Sequence, residues 1–286
     1  APNGWVMEYY IGKDYSLGGI TLLCRFDGQR VTMASQMSEA DETVSSLYSV
    51  KSEQATMLSF DTYNYLVHYF GQPQGSMSDD PNGTLGGDYE FIISSASAER
   101  IELKGKKYGN RIVMKALTED QTWKQYLTKI KKVEDDAFFY EYDLLMDGLY
   151  TGQMIRSNYT FIVTYYDEIG KVHQKTVPFM FTADGLRFHE PVTIDGQTMQ
   201  NFVWKNELIS FVCTDEGATG VKLAGVYTAG YQSYDYYPGT YQMDFYRLND
   251  ETGQLEVASQ EVRLLKNEDG KSYWLKGLEY DILVMY

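Results

Sequence analysis

Cysteine, histidine and positive charge are scarce in this chain, and each shortage excludes something. Two cysteines in 286 residues permit at most one bridge, and no CxxC pair occurs. Three histidines, none in an HxH or HExxH arrangement, leave no zinc-hydrolase motif. Lys and Arg number 25 against 40 acidic residues. The net charge of −15, without a long basic run, is the wrong field for neutralising nucleic-acid phosphates. No apolar stretch approaches the length of a membrane-spanning helix. The opening residues APNGW contain neither an apolar signal core nor an initiating Met, so the expectation is a mature or trimmed chain. A GxSxG elbow and a phosphate-cradling Gly-rich loop are also missing.

What is present belongs to a folded globular protein: 43% hydrophobic and 23% charged residues, in a length that suits one large or two ordinary domains. Tyrosine is abundant at 26 residues. Its ring favours strands and half-buried surfaces, since the ring can be covered while the hydroxyl stays wet.

The chain also matches itself. FIISSASAERIELKG from Phe91 to Gly105 aligns without a gap on FVCTDEGATGVKLAG from Phe211 to Gly225. Residues 21–26 align on 160–165, and Phe60 on Phe181, each Phe followed eight residues later by a histidine, His68 and His189. Self-similarity of this kind predicts one supersecondary unit built twice. Cys24 aligns with Val163 and Cys213 with Ile93, so both cysteines fill apolar strand slots and read as free core thiols rather than a bridge.

Period-two alternation runs through Trp5 to Tyr10, Tyr89 to Ile93, Ile112 to Leu117 and Tyr241 to Tyr246, as in strands with one face on a core. Short turns such as Asp27-Gly28 and Asp195-Gly196 join antiparallel neighbours. One helix is expected over 118–132, opened by a Thr118–Gln121 capping pattern, with Trp123, Leu127 and Ile130 forming a stripe that closes the first β unit. A weaker helical pattern covers Asp61 to Phe70, and residues 71–87 read as loop. The fold class is therefore all-β: two tandem related antiparallel β units, lipocalin-like barrels or else sandwiches, with one short helix near the junction. The expected division is 1–118 for the first unit, 119–148 for the helix and connector, and 149–286 for the second unit, an internal repeat of the first.

Among candidate sites, His68 and His189 read as strand-end residues rather than metal ligands. Asp79 to Gly83 is oxygen-rich but fails the EF-hand template, and no metal or cofactor is assigned. No catalytic residue can be selected from 40 acids. The segment Tyr227 to Tyr241 holds six tyrosines among Gly, Ser, Asp and Pro. Tyr231, Tyr234, Tyr236 and Tyr237 are the candidate ligand-binding residues, because rigid rings offer contact area at low entropic cost.

AsnGlyTrp at 3–5, LeuSerPheAspThrTyrAsn at 58–64, GlyAspTyrGluPhe at 87–91 and GluLeuLysGlyLysLys at 102–107 resemble a domain-of-unknown-function family of lipoproteins from gut Bacteroidetes. The resemblance is densest over residues 1–117. It implies a periplasmic or outer-surface setting, with a lipid anchor upstream as the sole membrane attachment, and it carries over no catalytic residue. The leading functional expectation is a non-catalytic binding or accessory module for glycan or peptide nutrients. A carboxylate-dependent hydrolase and a purely structural or interaction protein are the alternatives.

Overall fold

The computed structural model describes residues 1–52, 55–73, 84–167 and 169–285. Its first eight strands are β1 (Trp5–Ile11), β2 (Gly18–Asp27), β3 (Arg30–Ser35), β4 (Val44–Ser52), β5 (Thr56–Phe60), β6 (Glu90–Ala96), β7 (Arg100–Gly105) and β8 (Arg111–Ala116). Each pairs antiparallel with the next, and β8 returns to β1, which closes a barrel. A second closed barrel follows: β9 (Glu141–Met146), β10 (Leu149–Ser157), β11 (Thr160–Tyr166), β12 (Val172–Phe181), β13 (Gly185–Ile194), β14 (Gln197–Lys205), β15 (Ser210–Cys213) and β16 (Val221–Val226), with β16 pairing back to β9. Closure leaves neither barrel an unpaired edge.

The alternating residues fill both interiors. In the first barrel, Met7, Tyr9, Leu22, Phe60, Phe91 and Met114 form the centre. In the second it is Tyr142, Phe161, Phe179, Phe181, Phe188 and Phe211. Ring pairs such as Phe60–Phe91 and Tyr142–Phe161 meet edge-on at centroid distances of 6.1 and 5.6 Å, the arrangement that ring quadrupoles favour. Each core buries a tyrosine whose hydroxyl donates to a backbone carbonyl: Tyr9 to Asp88 at 2.7 Å and Tyr142 to Ala137 at 2.8 Å. Hairpin turns follow the sequence chemistry. At Asp195-Gly196 both φ angles are positive, 48° and 74°, as a tight two-residue turn between twisted strands demands.

Two helices accompany the barrels. The single turn α1 (Tyr65–His68) buries Leu66 and Val67 in the first core and is capped by the Asn64 side chain. Helix α2 (Trp123–Asp136) starts later than the capping pattern at Thr118 suggests, because the same T-x-x-Q spacing recurs at Thr122 and Gln125, and that pair forms the capping box. Its stripe of Leu127, Ile130 and Val133 joins the core cluster of the second barrel rather than closing the first.

β1 departs from the expected half-buried strand, for all seven of its residues are buried. Its inner face belongs to the first core, while Val6, with Leu23 of β2 and Ala34 of β3, joins the cluster of the second barrel. The contact is close: a Cβ on Gly18 would overlap the Tyr159 backbone, and Gln36 donates to the Tyr159 hydroxyl at 3.5 Å. Residues 1–226 thus form one compact unit in which Val6, Leu23 and Ala34, on β1 to β3 of the first barrel, pack into the core cluster of the second.

The division expected at 149–286 is corrected. The second barrel begins at Glu141 and ends at Val226, and residues 227–286 form a separate compact unit. That unit is a four-stranded antiparallel sheet: β17 (Gly239–Leu248), β18 (Leu255–Lys266), β19 (Ser272–Lys276) and β20 (Ile282–Met285). Two eight-stranded barrels stand in tandem, and both matched strings fall on consecutive paired strands, Phe91 and Gly105 on β6 and β7, Phe211 and Gly225 on β15 and β16. The register differs between them: Phe91 pairs with Gly105 itself, while Phe211 pairs with Leu223.

Candidate functional site

The tyrosine segment lies in the C-terminal unit, and its four candidate residues divide by environment. Tyr234 is part of the framework: its hydroxyl donates to the Ser272 carbonyl at 2.6 Å and accepts from the Asn267 amide at 3.0 Å, and its ring stacks on Tyr273 at 4.6 Å. Tyr231 stacks on Tyr227 at 4.5 Å. Tyr236 and Tyr237 stand edge-on at 5.2 Å and keep 63% and 38% of their surface exposed. The loop therefore offers rings to solvent from a base that Tyr234 pins to the sheet.

A second site, which sequence reading did not assemble, is a cleft of about 430 Å³ where the outer surface of the first barrel meets β13 and β14. Its floor is Glu8, buried in the middle of an otherwise apolar β1. A carboxylate there must be compensated. Both guanidinium amino groups of Arg187 donate to it at 2.7 Å in a fork, and Lys115 adds a third bond at 2.6 Å. Arg100 and Arg111, on β7 and β8, line the same cleft and share one oxygen of Glu102 at 3.1 and 3.0 Å. Two donors on the wall have no protein partner although buried, Tyr10 Oη and Arg187 Nε.

The opposite side is made by a register break in β13 between Arg187 and Val192. Pro191, which has no N–H for the ladder, lies inside this break, and bulges of this type re-aim side chains. The break turns His189 against Tyr10 and Tyr15, with centroids 4.3 and 3.9 Å away. Tyr15 and Asp14 hold left-handed φ values of 61° and 53°, a conformation non-glycine residues seldom adopt. Burial pushes the His189 imidazole below its usual range, with Arg111 and Arg187 acting in the same direction and Glu190 and Glu8 opposing. Burial also lifts the Tyr10 hydroxyl well above its ordinary value.

Other candidates fare differently. His68 is the last residue of α1, with its Nδ1 3.0 Å from the Asn64 carbonyl oxygen, and stacks on Tyr89 at 4.5 Å; it follows β5, whereas His189 lies within β13, so the two do not occupy matching positions. Cys24 and Cys213 are free and buried. Among the described residues no group of three or more His, Cys, Asp or Glu is placed to hold a metal ion. The acidic segment Asp79 to Gly83 lies outside the described residues. Two carboxylates, Glu8 and Glu190, do line one cleft, as a hydrolase would require. Glu8, however, has both oxygens engaged by cations, which makes it a clamp for Arg187 rather than a proton donor. The signals that point to the cleft are a lone acid in the apolar strand WVMEYYI and a proline inside a strand, HisGluPro at 189–191.

Residues 1–206 match the model of a family described as a domain of unknown function, DUF4302. Residues 214–286 match a second family described as a domain of unknown function, DUF4987. The first match stops before β15, so the last two barrel strands lie beyond it, and the second spans β16 together with the C-terminal sheet. No curated protein and no solved structure matches the chain. The first family model covers well over half of the sequence, and the chain belongs to the DUF4302 family.

Proposed function

We propose that this protein is a non-catalytic binding module that holds glycans on the tyrosine loop of its C-terminal unit. The observation that carries the reading is the pair Tyr236 and Tyr237, exposed and mutually perpendicular, in the same segment as the stacked Tyr227–Tyr231 pair. Exposed rings give a sugar ring an apolar face to stack on, while neighbouring hydroxyls and amides reach its oxygens. Both barrel interiors are filled by side chains, which suits a scaffold. The setting proposed is the outer membrane surface or the periplasm, with a lipid anchor upstream of residue 1. The strings at 3–5, 58–64, 87–91 and 102–107, which resemble those of lipoproteins, support that setting.

A glycan and peptide array probed with the full chain and with the Tyr236→Ala/Tyr237→Ala variant tests the reading. Binding to glycans that the variant loses is expected. Retention of peptides alone would move the ligand class to peptide, and equal behaviour of both proteins would refute the tyrosine site.

A further inference from the structure

The cleft between the barrels carries an inference independent of the tyrosine loop. We propose that it binds a small hydroxylated carboxylate, about the size of one sugar acid, with the carboxylate held by Arg100 and Arg111 and the hydroxyls by Gln200 and Asn201.

Charge supports this first. In a chain of net charge −15, three arginines line this one cleft and Lys115 pairs with its Glu8, so that Glu8 and Glu102 are each shared by two cations. Glu190 on the rim offsets part of the excess, which favours a monoanion over a more highly charged phosphate. Arg100 and Arg111 each spend one donor on Glu102 and retain the rest of the planar fork, the geometry that suits a carboxylate.

The polar wall points to hydroxyls. Gln200 commits its amide nitrogen to the Phe188 and His189 carbonyls at 3.2 and 3.3 Å, and Asn201 commits its own to Asp215 at 2.7 Å. These bonds orient both amides so that each contributes an acceptor oxygen, which a ligand O–H can answer. Tyr10 Oη and Arg187 Nε lack a protein partner on the same wall. A buried donor left unmade costs about 1–3 kcal/mol, so sites that keep one are places to look for a ligand or the ordered water it brings. The His189 ring, packed on Tyr10 and Tyr15, supplies a flat apolar side. The volume, about 430 Å³, lies at the lower end of small-molecule sites.

Titration calorimetry of the full chain with glucuronate, glucose and inorganic phosphate tests the proposal, with His189 side-chain NMR shifts as a second readout. Glucuronate is expected to bind saturably and to shift His189, glucose to do neither, and phosphate to bind more weakly. Arg100→Gln and Arg111→Gln, at exposed side chains whose loss leaves the core intact, should each weaken glucuronate by about tenfold, the scale of one charge-assisted hydrogen bond. The Tyr236→Ala/Tyr237→Ala variant should bind glucuronate unchanged, which separates this site from the loop. Any of four outcomes overturns the proposal: no glucuronate binding at millimolar concentration, equal binding of glucose, phosphate as tight as glucuronate, or arginine variants that bind like the parent.

Discussion

Replacing Glu8 by Gln is the most direct probe of how the two barrels are joined. The change keeps the shape of the side chain and removes its charge, which leaves Arg187 at the barrel–barrel wall without its counterion. Glu8 accepts both arms of the Arg187 fork at 2.7 Å and the Lys115 ammonium at 2.6 Å. Breaking a buried pair from one side costs about 3–5 kcal/mol. Here the side chains keep 20% (Arg187) and 41% (Lys115) of their exposure, and solvent screening brings the expected loss to about 2–4 kcal/mol. The double variant Glu8→Gln/Arg187→Gln should cost less than the sum of the singles by about 1–3 kcal/mol, since neither charge is then stranded. Urea unfolding followed by tryptophan fluorescence measures this cleanly in a Trp274→Phe background. Trp5, Trp123 and Trp204, all within residues 1–226, then report on the barrels alone. A single-variant loss below about 1 kcal/mol, or strictly additive effects, would refute the claim that this cluster bolts the barrels together.

Three further outcomes are expected. Gly18→Ala should cost at least about 2 kcal/mol in the same assay, because φ there is 72° and the new methyl group would overlap the Tyr159 backbone. Native protein at pH 8 should leave both thiols unlabelled by a disulfide reagent until it is unfolded, since burial lifts Cys24 far above the usual thiol range and Cys213 to about 11; a thiol that reacts in the folded chain would contradict this. Burial lowers His68 and His189 in the fold, so the unfolded chain binds protons more readily. Stability should be complete above a pH of about 6.5 and be lost as pH falls through the lowered folded values. Unfolding free energies from pH 5 to 8 for His189→Gln should show a shallower slope than those of the parent.

Much of the barrel architecture can be read in the alternation of single strands, for Met7, Phe91 and Phe211 each point inward where period two places them. The outer face of β1 was not legible. Val6 and Glu8 look like solvent-facing positions until a second barrel covers them, and nothing local says that it will. The cleft is hidden for the same reason, since its residues come from β1, β7, β8, β13 and β14 and meet only through closure of two sheets. His189 drew notice through a sequence match to His68 that the topology does not support, yet its place in the cleft comes from the bulge ahead of Pro191. The separate C-terminal sheet escaped because its strands alternate like those of a barrel, and alternation says nothing of which strand pairs last. Tyr231, Tyr234, Tyr236 and Tyr237 were visible as a cluster by composition alone. That Tyr234 serves as an anchor is set by Asn267 and Ser272, more than thirty residues onward.

The shared β1 limits how this architecture can be cut or recombined. A barrel excised at the connector would carry away a strand whose outward side is built for burial, and its sibling would lose the apolar lid over its own flank. Neither half is a transferable cassette. Insertions, losses and swaps in relatives should fall at hairpin tips and in the C-terminal sheet, while the two barrels are inherited, expressed and degraded as a single object.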